Sequence, residues 1–114
     1  MPLLSIETNA VCPSARRQAL IRGASRLLAT ALGKPEGYVM VCLRTNPDLC
    51  LGGSDEPLAY LELKSIGLPE QATTELSRAL TDYLHTELDL PAGRVYIEFA
   101  NAARHLWGWN GGTF

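Results

Sequence analysis

Pro2 directly follows Met1, and a methionine ahead of so small a residue is normally removed in cells, which leaves Pro2 with a free secondary amine. Such an amine can serve as a general base if it is neutral near pH 7, whereas free α-amino groups titrate about one unit higher. Burial and a nearby cation both lower that value. Lys34, one of only two lysines in the chain, is the candidate cation. A lysine just past a helix end is equally suited to be a solvated charge favoured by the helix dipole, and a Met-Pro start is equally compatible with no chemistry at all.

Other groups have chemical capacity of their own. Ser65-Ile66-Gly67 closes an apolar run, where a free backbone N–H can bind a carboxylate, although glycine at a strand end is also ordinary punctuation. Tyr96 and Glu98 alternate with Val95, Ile97 and Phe99 and so share one strand face. Tyr96 can bond a substrate oxygen or simply pack on the sheet. From Leu106 to Phe114 the chain gathers Trp107, Trp109 and Phe114 among glycines, a composition that suits an aromatic wall or a clasp between subunits. Cys12, Cys42 and Cys50 are odd in number with no CxxC spacing, and His85 and His105 have no partner pattern, so no disulfide framework, metal site or catalytic triad is expected. Cys42 lies in an apolar run and is expected to pack. No phosphate-binding loop, dinucleotide fingerprint or nucleophile elbow occurs.

The elements that must position these groups read in order. Leu3–Thr8 predicts a strand, and Ser14 is the expected N-cap of a helix whose apolar stripe runs through Leu20, Ala24, Leu27, Leu28 and Leu32, with Arg16, Arg17, Arg22 and Arg26 opposite. Gly33 should end it in a left-handed conformation, with Pro35 preventing resumption. Tyr38–Arg44 predicts a second strand, Asn46–Pro57 a loop most pliable at Gly52-Gly53, and Leu58–Ile66 a third strand. Pro69-Glu70 opens a second helix, and Arg94–Ala100 predicts a fourth strand.

The two halves match. Pro35-Glu36-Gly37-Tyr38-Val39 and Pro91-Ala92-Gly93-Arg94-Val95 share a P-x-G-x-V pattern 56 positions apart, and Leu20/Leu76, Leu28/Leu84 and Leu32/Leu88 pair at the same offset. This is a duplicated βαβ unit, over about residues 1–45 and 57–100, with an aromatic segment from 101 to 114. The fold class expected is α+β, one domain with a four-stranded mixed sheet and two helices on one face. The competitor is a ferredoxin-like sandwich, which has the same element order but commonly joins its middle strands closely. Two helices cover one sheet face, yet Val39-Met40-Val41-Cys42-Leu43 is apolar on both, so a homo-oligomer is expected to cover the other.

At 114 residues, 46% hydrophobic and 19% charged, the chain suits one globular domain. A formal charge of -2 offers no field for nucleic acid, and no basic run suggests an anionic membrane. With no leader-like start and no apolar run of spanning length, the expected location is the cytosol.

The chain resembles the macrophage migration inhibitory factor family of the tautomerase superfamily. The resemblance spans the whole length, through Pro2, Thr8-Asn9, Gly33-Lys34-Pro35, Tyr38, Gly52-Gly53-Ser54 with Glu56-Pro57, Ser65-Ile66-Gly67, Arg94-Val95-Tyr96-Ile97, Gly108-Trp109-Asn110 and Thr113-Phe114. It implies a homotrimer with sites between subunits, a cofactor-free keto–enol tautomerase acting on aryl α-keto acids such as phenylpyruvate or on dopachrome-like compounds, and Pro2 as its base. It further implies that Lys34 and the Ile66 N–H hold the substrate's carboxylate or carbonyl, that Tyr96 reaches in from the neighbouring subunit, and that Tyr38, Trp109 and Phe114 bracket the ring. Departures from the family pattern are Glu98 in place of Asn, Trp107 in place of a smaller aliphatic residue, and Leu58 and Leu61 where some animal members carry CxxC. The expectation is therefore a slower tautomerase with no thiol–disulfide activity. The alternatives are a cytokine-like protein whose pocket is vestigial and which binds a protein receptor, and a reaction of the superfamily's dehalogenase or decarboxylase type that keeps the proline base and uses Arg104 and Glu98 to activate water.

Overall fold

A computed structural model describes all of residues 1–114. Four strands form one sheet: β1 (Leu3–Thr8), β2 (Met40–Thr45), β3 (Ala59–Ile66) and β4 (Val95–Ala102), in the order β2-β1-β3-β4. β1 pairs with β2 in parallel and β3 with β4 in parallel, while β1 and β3 run antiparallel. Each helix-linked pair is therefore adjacent, which is the duplicated βαβ arrangement; a ferredoxin-like fold interleaves those strands instead. The helices are α1 (Ser14–Leu32) and α2 (Thr73–Leu88). A small ribbon of β5 (Gly108–Trp109) and β6 (Gly112–Thr113) ends the chain.

Both helices lie on one face. Leu20, Ala24 and Leu28 of α1 and Leu76, Leu80 and Leu84 of α2 pack on Leu4, Ile6, Leu61 and Leu63 of the sheet, in a single core. Tyr83 locks the helices together: its hydroxyl donates to Leu20 O at 2.7 Å across Gly23, where an added Cβ would collide with that hydroxyl.

Several boundaries differ from the expected ones for definable reasons. Ser14 is the first helical residue, not a cap; Pro13 precedes it with φ near -59°, and its carbonyl accepts from the N–H of Arg16 and Arg17, both at 3.0 Å. Tyr38 and Val39 stand before the strand rather than in it. Pro35 starts a 3-10 turn over Glu36–Tyr38, with Tyr38 N–H donating to Pro35 O at 3.1 Å, and the second half repeats this as Ala92–Arg94 with Arg94 N–H on Pro91 O at 2.9 Å. The shared P-x-G-x-V pattern is thus one turn used twice. Gly33 ends α1 at φ 62°, as expected, while its repeat equivalent Asp89 adopts the same left-handed conformation at φ 57°. Pro69 likewise leads a 3-10 turn, Glu70–Ala72, ahead of α2.

The open sheet face is more polar than the apolar run at Val39–Leu43 suggested. Register puts Val41 and Leu43 beside Leu4 and Ile6 on the helix side, leaving Met40, Cys42 and Arg44 outward with Glu7, Tyr60, Glu62, Lys64, Tyr96 and Glu98. Cys42, expected to pack, is exposed, and Cys12 is the buried cysteine. No helix is long and apolar enough to cross a membrane.

Candidate functional site

Pro2 is fully buried immediately before β1, and its carbonyl accepts from Met40 N–H at 3.0 Å, so the start of the chain is tied to the start of β2. A proline behind methionine carries an amide nitrogen without basicity; removal of Met1 turns the same atom into an amine at the same place. The α-amino group of Met1 is already held below the ordinary value, first by partial burial and second by the charge of Lys34.

Lys34 reaches this corner because α1 ends there. The left-handed Gly33 turns the chain, Lys34 N–H donates to Ala29 O at 3.0 Å, and the side chain crosses to Ile66 O, where Nζ donates at 2.7 Å. Of the two uses open to this lysine, a cation beside the terminal amine or a solvated charge at the helix end, the fold favours the first, with the ammonium anchored on a carbonyl beside the chain start. Ile66 is the last residue of β3, and the turn after it is held by Gly67 at φ 67° and by Leu68 N–H donating to Asn101 Oδ1 at 3.1 Å.

Ser65 is turned away from this corner. It is 0% exposed, on the helix-covered face, and its hydroxyl donates to Ile66 O at 3.3 Å, so its side chain is a buried support for that carbonyl and not a surface that a ligand touches.

The aromatic residues converge, but on one another. Trp109 and Phe114 stack with ring centroids 5.4 Å apart and planes 15° from parallel, and Tyr38 stands edge-to-face with both, at 5.4 and 5.9 Å. A ring inserted between two stacked rings needs roughly 7 Å between them, twice the usual carbon contact distance, so a ligand's ring has to lie against the outside of this trio. Trp109 remains 52% exposed and can receive it. Trp107 is outside the trio; its carbonyl accepts from Phe114 N–H at 3.2 Å and closes the terminal ribbon.

Tyr96 and Glu98 share the open face, as the alternation predicts, but far from Pro2 of the same chain. Tyr96 is in register with Tyr60 and Glu7, and Glu98 with Glu62 and Ser5. Strand rise and spacing put the Cα of Tyr96 roughly 19 Å, and that of Glu98 roughly 14 Å, from Pro2. Neither side chain spans that gap. Tyr96, 62% exposed, instead borders a shallow cleft of about 390 Å³ with Tyr60, Val95, Ile97 and Glu98. Tyr60 donates to Glu62 Oε1 at 3.1 Å, and its phenol is pushed up by burial, by that bond and by the charges of Glu62 and Glu98.

Arg104 lies in a 3-10 turn beyond β4, and the chain's two ion pairs, Lys64–Glu62 and Arg78–Glu75, do not include it or Glu98. His85 Nδ1 lies 3.0 Å from Leu90 O at the end of α2. The duplication sharpens which half carries chemistry. At the 56-residue offset, Pro2, Lys34 and Tyr38 correspond to Leu58, Leu90 and Arg94, and both leucines are buried. The polar corner exists once, and its counterpart has become core. That asymmetry is readable from the sequence once the repeat is aligned, and it marks the first-half residues better than any single motif does.

Comparison with known proteins agrees with this geometry. The family model for macrophage migration inhibitory factor matches residues 1–114. The macrophage migration inhibitory factor of Xenopus tropicalis is 36% identical over 115 residues, covering 100% of this chain and 99% of that protein, and the Brugia malayi homologue matches with the same identity and coverage. The crystal structure of a macrophage migration inhibitory factor homologue from Prochlorococcus marinus superposes with a TM-score of 0.92 at 38% identity, over 98% of each chain. With its duplicated βαβ sheet, its single polar corner at Pro2 and Lys34, and full-length matches of this kind, the chain belongs to the macrophage migration inhibitory factor family.

Proposed function

We propose that this protein is a keto–enol tautomerase for aryl α-keto acids of the phenylpyruvate type, with dopachrome-like compounds as further substrates, and that Pro2, freed of Met1, is its general base. The observation that carries this reading is the convergence of the buried chain start, Lys34 anchored at 2.7 Å on Ile66 O, and the exposed face of Trp109 at one end of the sheet. Family membership supports a tautomerase or cytokine-type role in general terms.

In the mechanism the neutral Pro2 amine removes the acidic proton from the carbon beside the keto group, leaving an enolate, and returns that proton to the enolate oxygen to give the enol, a cycle that consumes nothing and needs no cofactor. Lys34 serves twice. Its charge keeps the amine neutral at physiological pH, and its ammonium offers donors to the substrate carboxylate, with the Ile66 N–H as a second donor in the same role. Trp109, with Tyr38 and Phe114 behind it, bears the ring. Tyr96 is supplied by a neighbouring subunit of a homotrimer, since it cannot reach Pro2 of its own chain, and Glu98 arrives with it as a carboxylate that slows an anionic substrate. Cytosolic residence belongs to the same proposal.

The test is phenylpyruvate tautomerisation by wild-type protein whose mass establishes loss of Met1, against Pro2→Gly. The variant should lose at least a hundredfold in kcat/KM while remaining assembled. Full activity in Pro2→Gly refutes the base assignment; an inactive wild type with a free Pro2 that binds a protein receptor tightly supports the cytokine-like alternative instead.

A further inference from the structure

Arg94 occupies the second-half position that corresponds to Tyr38, and it does something no other side chain in the molecule does. Its guanidinium donates to four backbone carbonyls of one loop: Nη1 to Leu51 O at 2.8 Å, Nη2 to Ser54 O at 2.9 Å and Glu56 O at 2.8 Å, and Nε to Pro57 O at 3.4 Å. The loop was expected to be pliable at Gly52-Gly53, but it is a closed turn. Leu51 and Ser54 exchange hydrogen bonds of 2.9 and 3.1 Å, and the glycines take φ of 60° and 78°, the left-handed pair that a tight two-residue turn requires. Its other anchor is Asn9, which donates to Asp55 O at 2.9 Å and accepts from Leu58 N–H at 2.9 Å.

The position of Arg94 gives this clamp a consequence beyond the loop. Arg94 is the last residue before β4, and β4 is an edge strand, bonded on one side only, to β3. Edge-strand ends fray unless something holds them. Tyr96 is the second residue of that strand and stands 62% exposed on the open face. A group delivered to another subunit's pocket from a frayed strand end is displaced by an ångström or more, which is enough to forfeit much of its contribution to rate.

We propose that Arg94 is a positioning residue: by seating its guanidinium in the four carbonyls of the Leu51–Pro57 loop it fixes the start of β4, and so presents Tyr96 in a set place to the Pro2 pocket of a neighbouring copy. This rests on the shared-site reading above. The clamp is the second half's specialisation of the position that in the first half supplies Tyr38, so the duplication yields an aromatic for the chain's own pocket and an anchored arm for its neighbour's.

The experiment is a double-mutant cycle on phenylpyruvate tautomerisation, with Arg94→Lys and Tyr96→Phe singly and together. Lysine keeps the charge but cannot fork to four carbonyls. Arg94→Lys should lower kcat/KM about tenfold with the assembled mass and the pH profile unchanged, and should cost less than twofold when Tyr96 is already Phe. Asn9→Ala removes the same loop's bonds at Asp55 O and Leu58 N–H without touching β4, and should lower the melting temperature without any loss that depends on Tyr96. If Arg94→Lys does not fold, Arg94→Gln, which keeps one arm of the clamp, enters the same cycle. Equal losses in both backgrounds, no loss in the wild-type background, or a Tyr96-dependent loss in Asn9→Ala overturns the proposal. Survival of activity in Pro2→Gly overturns the parent reading. An inactive Pro2→Gly beside a fully active Tyr96→Phe leaves Pro2 as base and overturns this inference alone.

Discussion

Replacing Lys34 with methionine separates the two tasks assigned to it. The side chain keeps nearly the same length and loses its charge, and with it the 2.7 Å bond to Ile66 O and the attraction for a substrate carboxylate. A hydrogen bond from a charged donor is worth about 1.5–3 kcal/mol, so kcat/KM for phenylpyruvate at the plateau of the pH profile should fall about 10- to 150-fold. The second task has its own signature. Burial and, second, Lys34 hold the α-amino group of Met1 below its ordinary value; the Pro2 amine of the processed chain is expected to feel the same cation, so without it that amine's pKa should rise, less of it should be neutral at a given pH, and the acid limb of the kcat/KM profile should move to higher pH. Steady-state rates from pH 4 to 9 measure both effects. The methyl ester of the same keto acid is the control, because it has no carboxylate to bind: it should show the moved limb and little of the plateau loss. Equal plateau losses for acid and ester, with an unmoved acid limb, would refute both assignments.

Three further outcomes follow from packing. Gly23→Ala should destabilise by about 1–2 kcal/mol although helix propensity alone favours alanine by about 1 kcal/mol, because its Cβ displaces the Tyr83 hydroxyl; thermal unfolding should fall by roughly 4–8 °C, with Tyr83→Phe in the same chain restoring part of it. Thr8→Val should cost about 1–3 kcal/mol in urea unfolding, since the buried hydroxyl donates to Leu58 O at 2.7 Å and accepts from Ala10 N–H at 3.0 Å, and valine leaves both backbone groups unpaired. The Tyr83 phenol is pushed up, first by burial and then by Glu87. Its neutral form is therefore favoured by folding, the stabilisation is complete below the unfolded phenol's pKa and is lost as pH rises through the folded value, and Tyr83→Phe should flatten the alkaline limb of the stability profile.

What the sequence by itself determined was whatever depends on near neighbours along the chain. The 3.6-residue stripe from Leu20 to Leu28 and the glycine at position 33 place α1 and its end, because helix periodicity and left-handed capping are local properties. Matching Pro35–Val39 with Pro91–Val95 shows the duplication, since a turn that works once is kept when a unit is copied. Even there the strand expected from Tyr38 begins only at Met40, because a 3-10 turn after proline leaves no mark in apolar alternation. From the residues alone the corner at Pro2 was legible as separate candidates, which only the family resemblance joined into one site.

Tertiary structure decided which of those candidates meet. β1 lies between β2 and β3, and that order alone brings Pro2 beside Met40 and Lys34 across to Ile66, 32 positions away. It also turned Ser65 inward, because a strand residue's face follows from the register of its neighbours and a one-residue difference reverses it. Register likewise sent Tyr96 some five residues along the sheet from Pro2, beyond any side chain's reach, and set Arg94 against carbonyls more than thirty-five positions earlier. None of these separations is a local quantity. Each is fixed by strand order and register, which arise from burying the faces of α1, α2 and the sheet together.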